Sequence, residues 1–80
     1  MSASSNEEKV IAALRKLTGA DLPMTADSLL REDLGLDSAA LIELTVLVHT
    51  MYGVDLGRRA AERKVTPLTV GDVARLLERS

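Results

Sequence analysis

From Asp37 to Gly53 runs a stretch with neither Gly nor Pro inside it and a single charged residue, Glu43. Such a stretch forms a helix, because Asp37 is a capping residue at its start, Gly53 is a stop at its end, and nothing between them interrupts the backbone. At about 100° per residue, Leu41, Leu44, Val48, Met51 and Tyr52 share one face, which reads as core. Ala39, Ile42 and Val46 share another, beside Ser38 and His49. A helix that is apolar on two sides either meets a partner through the second side or lies at the centre of a domain and is covered all round. With 80 residues there is one core to cover it, since a chain this short buries only about 60% of its unfolded surface. Residues 1–80 are therefore expected to form a single domain.

The flanking segments supply shorter helices. Ser4 and Ser5 each have a Glu three residues on, at Glu7 and Glu8, the reciprocal pattern that opens a helix. Val10, Ile11, Ala13, Leu14 and Leu17 then recur at helical spacing, with Gly19 just past the end, which predicts a helix over 6–18. Residues 20–35 read as a long loop in which Pro23 blocks an early helix and Leu29, Leu30 and Leu34 act as anchors, with one short helical turn at 28–31. Met24 reads as a further loop anchor. Residues 53–64 carry Arg58, Arg59, Arg63 and Lys64 against Asp55 and Glu62. They suit only a short helix or turn near Ala60 and Ala61, ended by Pro67, and their basic run reads as a solvated face open to partner docking. Thr69 with Asp72 opens the last helix, in which Val70, Val73, Leu76 and Leu77 repeat. No segment alternates as a strand does. The predicted class is all-α, a small four-helix bundle of three main helices and one short one.

Several kinds of chemistry are excluded by residue type. With no Cys and one His, neither a disulfide framework nor a usual zinc site can be assembled. One Tyr and no Phe or Trp leave no platform for stacking bases, and a net charge of −2 with a pI near 5.3 offers no basic stripe for phosphates, so nucleic acid is not expected as a partner. The longest uncharged apolar-rich stretch, residues 44–52, is too short to span a bilayer, and the first residues lack both a basic start and an apolar run. A cytoplasmic monomer is the expectation. A Ser-His-Asp triad fails on distance, since Ser38 and His49 lie about 16 Å apart along one helix. A calcium loop at residues 33–37 fails because Gly35 stands where an oxygen ligand is required.

What remains is Leu34-Gly35-Leu36-Asp37-Ser38-Ala39, a serine in the first turn of a helix, preceded by an acid and a tight turn. This segment resembles the phosphopantetheine attachment site of the acyl and peptidyl carrier protein family. The resemblance covers most of the chain, with Glu43, Tyr52, Leu56 and the Thr69-Val70 start of the last helix also placed as in that family. It implies an acyl-carrier-like fold, and a protein that is not itself an enzyme. It further implies 4'-phosphopantetheine, transferred from coenzyme A to Ser38, as the covalent cofactor, with Asp37 helping a phosphopantetheinyl transferase bind Mg²⁺ and coenzyme A. The other implied partners are acyl-loading and acyl-processing enzymes, which would meet the face formed by Ala39, Ile42, Glu43, Val46 and His49. Fatty-acid carriers have an acid-rich helix after the serine, whereas this one holds only Glu43. The resemblance therefore points to a discrete acyl carrier of polyketide or related specialised biosynthesis. A peptidyl or aminoacyl carrier of nonribosomal peptide synthesis is the alternative within the family. Outside it, the alternative is a helical interaction module that binds a partner helix through Ile42 and Val46 without modification.

Overall fold

Four helices form where the sequence places its caps and apolar periods: α1 (Ser5–Thr18), α2 (Ser38–Tyr52), α3 (Leu56–Arg63) and α4 (Val70–Leu77), in a computed structural model that describes residues 5–19 and 23–78. In α1, Val10, Ala13 and Leu14 are buried while Ile11 and Leu17 are half-buried against the core. Ser5 is itself helical, so it does not cap α1; the Ser4 half of the expected capping pair lies outside the described residues. In α2 the side chain of Asp37 accepts from the Ala40 N–H, and Gly53 closes the helix in a left-handed conformation.

The faces of α2 come out largely as the periodicity predicts. Leu44 and Val48 are buried, and Leu41 and Tyr52 are half-buried against the core. Met51 departs from the expected core face: it lies in the last turn of α2 and is 37% exposed. The second strip is open, with Ile42 66% and Val46 60% exposed. This answers the choice left by the sequence, since α2 is not covered all round.

α3 is a full helix, and its end differs from the expected one. Lys64, with φ of 56°, turns the chain at its C-cap, three residues before Pro67. Its arginines are not simply a solvated face. The Arg59 guanidinium donates to the Leu76 carbonyl at 2.7 Å, and Arg63 donates to the carbonyls of Arg75 at 2.7 Å and Glu78 at 2.9 Å. Two cations from α3 thus satisfy the last carbonyls of α4, where the helix dipole is negative. Arg58 stays outside, in an exposed pair with Glu62 at 3.5 Å.

The Thr69–Asp72 capping box forms as expected. Asp72 donates its N–H to Thr69 Oγ1 at 3.1 Å, and its carboxylate accepts from the N–H groups of Thr69 at 3.2 Å and Leu68 at 3.0 Å. Val70, Val73, Leu76 and Leu77 are buried. α1 packs on α4 and α2, α3 packs on α4 and α2, and α1 does not touch α3. α2 and α3 meet at 106°.

The long loop is tied down by backbone as well as by leucines. Leu30 donates to the Leu68 carbonyl at 2.9 Å and Val70 to the Ser28 carbonyl at 3.0 Å, around an antiparallel bridge between Leu29 and Thr69. Gly71 donates to the Ala26 carbonyl at 2.8 Å, and a β-carbon at Gly71 would stand 3.0 Å from that oxygen, so this close approach favours glycine. The expected helical turn is shifted along the chain: Asp33 and Leu34 both donate to the Leu29 carbonyl. Leu30 and Leu36 are buried, Leu29 and Leu34 half-buried, and Met24 packs against the core as expected.

Candidate functional site

The segment before α2 has to make an abrupt change of direction, and Gly35 makes it. Its φ is +69°, a left-handed backbone that a side chain resists, and a β-carbon there would meet nothing within 4 Å. The strain is thus in the backbone and not in packing. Leu36 next turns into the core, its N–H donating to the Leu30 carbonyl at 3.0 Å. With Leu36 buried on one side and Asp37 bonded to the Ala40 N–H at 2.8 Å on the other, the first turn of α2 is fixed. Ser38 follows, with its side chain exposed.

This geometry leaves the Ser38 hydroxyl accessible on a rigid platform at the positive end of a 15-residue helix. An ester of a negatively charged phosphate is favoured at such an end, where N–H groups and the helix dipole point outward. Asp37 is exposed beside it. The remaining predicted contact residues, Ala39, Ile42, Glu43, Val46 and His49, are all exposed and occupy the arc of α2 that begins at Ser38. Ile42 and Val46 also border a groove of about 420 Å³ against Lys16 and Leu17 of α1. The structure therefore brings the predicted set together on one face.

One contact of the site is not in the predicted set. Arg31 donates from Nη2 to Ser38 Oγ at 3.0 Å. The sequence signal for it was its isolation: Arg31 is the only Lys or Arg between Lys16 and Arg58.

Two crevices open near the serine's end of α2. The first, of about 200 Å³, is lined by Leu29, Arg31, Glu32 and Leu68. The second, also of about 200 Å³, runs between α2 and α3 over Leu44, Leu56 and Ala60. They share Leu30, Leu41, Thr66 and Pro67 in their walls, so the crevice on the Arg31 side borders the apolar slot between the two helices.

Among the described residues no cluster of His, Cys, Asp or Glu is placed to hold a metal ion. No single helix among them is long and apolar enough to cross a membrane. Searches of curated proteins and of solved structures returned no match. A family model does match: the phosphopantetheine attachment site, over residues 8–77, which spans all four helices but the first residues of α1. A small four-helix domain with a glycine turn, a capping acid and an exposed serine in sequence is what a covalently attached arm needs. The chain belongs to the phosphopantetheine attachment site family, the carrier proteins that bear 4'-phosphopantetheine on a serine.

Proposed function

We propose that Ser38 is the attachment serine and that the chain is a discrete carrier, without catalytic activity of its own, that presents acyl groups as thioesters to successive enzymes. The observation that carries this reading is the exposed Ser38 hydroxyl in the first turn of α2, immediately after the Gly35 turn and the Asp37 cap. The arm supplies the thiol, and tethering raises the effective concentration of its cargo at each partner's site. What the chain's own residues do is positional. Gly35 and Leu36 hold the hydroxyl away from the core, Asp37 holds the first turn, and the slot between α2 and α3 offers a short apolar cargo shelter from water.

Polyketide or related specialised biosynthesis is the setting we favour, with an aminoacyl or peptidyl cargo as the second reading. Support comes from the docking arc, which carries one acid, Glu43, and two exposed aliphatic residues, Ile42 and Val46. Apolar contact, more than charge steering, then sets how long a partner stays bound. The partners are a phosphopantetheinyl transferase and the loading and processing enzymes, in the cytoplasm, with the carrier as a monomer.

Intact mass after incubation with coenzyme A and a promiscuous transferase tests the central claim. One phosphopantetheine should be added to the wild-type chain and none to Ser38→Ala. Addition at another serine, or none to the wild type with a demonstrably active transferase, rejects it. For the docking face, Ile42→Asp and Val46→Asp should slow transfer to the physiological loading enzyme while leaving attachment intact.

A further inference from the structure

Arg31 is held where, among the described residues, its charge has no acidic partner and Ser38 Oγ is within reach. It sits in the turn after Leu29, which is fixed three times over: Asp33 and Leu34 donate to the Leu29 carbonyl, the Asp33 carboxylate accepts from the Leu29 N–H at 2.8 Å, and Leu29 bridges to Thr69. Acids surround Arg31 in sequence, at Glu32, Asp33 and Asp37, yet among the described residues none of them pairs with it. Asp33 is engaged by the Leu29 N–H and Asp37 by the Ala40 N–H. The guanidinium instead places one N–H on a neutral hydroxyl, and the rest of its fork has no acceptor among the described residues.

From this placement we infer that Arg31 binds the phosphodiester of the attached arm, making the base of the arm a docked and oriented segment. The inference rests on the reading of Ser38 as the attachment serine. Attachment replaces the O–H bond of Ser38 with an O–P bond, while the P–O bond to the nucleotide half of coenzyme A breaks and the hydroxyl proton passes to solvent. Two non-bridging oxygens that share one negative charge then lie two bonds beyond the Oγ that Arg31 already touches. A planar guanidinium matches a phosphate in two-point geometry, and a charge-assisted bond is stronger than the one to a neutral hydroxyl that it replaces. Arg31 also lines the first crevice, so this contact starts the arm on the side of α2 that borders the apolar slot.

The test compares wild type, Arg31→Gln and Arg31→Lys, each in its unmodified form and after conversion with coenzyme A and a promiscuous transferase. The modified residue is located by peptide mass, and the readout is the change in melting temperature on attachment. Arg31 is exposed, so each variant's own unmodified form serves as its reference. In low salt, attachment should raise the melting temperature of wild type by about 2–5 °C more than that of Arg31→Gln. Arg31→Lys should keep part of the difference, and high salt should remove most of it. Equal increments in wild type and Arg31→Gln, with Ser38 modified in both, would overturn the phosphate contact and leave the attachment reading standing. Absence of modification at Ser38 in wild type overturns both. Should Arg31→Gln fail to fold, a wild-type increment indifferent to salt rejects the contact by itself.

Discussion

The Tyr52 hydroxyl donates to the main-chain carbonyl of Lys9 at 3.2 Å, closing a span of 43 residues and tying the last turn of α2 to the middle of α1. The Lys9 ammonium lies 5.6 Å from the centre of the same ring. Tyr52→Phe keeps the ring and loses only the hydroxyl bond, so it should cost about 0.5–1 kcal/mol, toward the low end because the bond is exposed. Tyr52 is the sole aromatic residue, so unfolding in urea is best followed by far-UV circular dichroism, which does not depend on the residue being changed. A loss near zero would mean that the hydroxyl bond adds nothing to the α1–α2 contact.

Leu44 and Ile42 separate burial from exposure on one helix. Leu44 is buried in the core, and Leu44→Ala should cost about 2–5 kcal/mol, a large fraction of what so small a domain has. Ile42 is mostly exposed, and Ile42→Ala should cost less than about 0.5 kcal/mol. Equal losses in chemical denaturation would show that the exposed strip is covered in solution.

Asp72 carries a pH signature. The Leu68 N–H bonded to it, supported by Thr69 and by Arg75 at 3.8 Å, holds its carboxyl below the usual carboxylate value despite some desolvation. Its folded pKa is therefore lower than its unfolded one of about 3.8. The stabilisation is complete above the unfolded value and is lost as pH falls through the folded one, because the unfolded chain binds the proton more readily. Asp72→Asn should flatten the acid limb of a stability-against-pH curve. An unchanged limb would place the acid sensitivity in other carboxylates.

Arg59 and Arg63 act on α4 from α3. Arg59→Ala and Arg63→Ala should each cost about 1 kcal/mol, since the carbonyls they leave are re-solvated at an exposed helix end. Amide hydrogen exchange should quicken in α3 and the last turn of α4 while α1 keeps its protection. Uniform acceleration across all four helices would show instead that α3 unfolds only with the whole domain.

What could be read in advance follows from the range of the interactions. The Asp37 cap, the Gly35 turn, the Thr69–Asp72 box and the two faces of α2 depend on residues within a turn or two of one another. Local pattern carries them. Leu36 is buried in a segment with no periodicity, so only the fold shows that it is core. The end of α3 was misplaced because Lys64 adopts a left-handed backbone, a conformation that composition does not announce in a residue other than glycine. The roles of Arg59 and Arg63 were missed because their acceptors lie 12 to 19 residues away, on another helix. Arg31 reaches Ser38 across a turn whose shape depends on the bridge to Thr69, so its isolation in the sequence was visible while its target was not.

Leu56 is the only buried residue of α3, and the helix is otherwise held by the half-buried Ala60 and by Arg59 and Arg63, which reach the end of α4. Leu56, Gly57 and Ala60 form one wall of the apolar slot, whose opposite wall belongs to α2. α3 packs on α2 and α4 and not on α1, so the outer wall of the slot rests on one leucine, the half-buried Ala60 and the guanidinium–carbonyl bonds to α4. Trimming any one of these fastenings is expected to loosen that wall while α1 keeps its hold on α2 and α4.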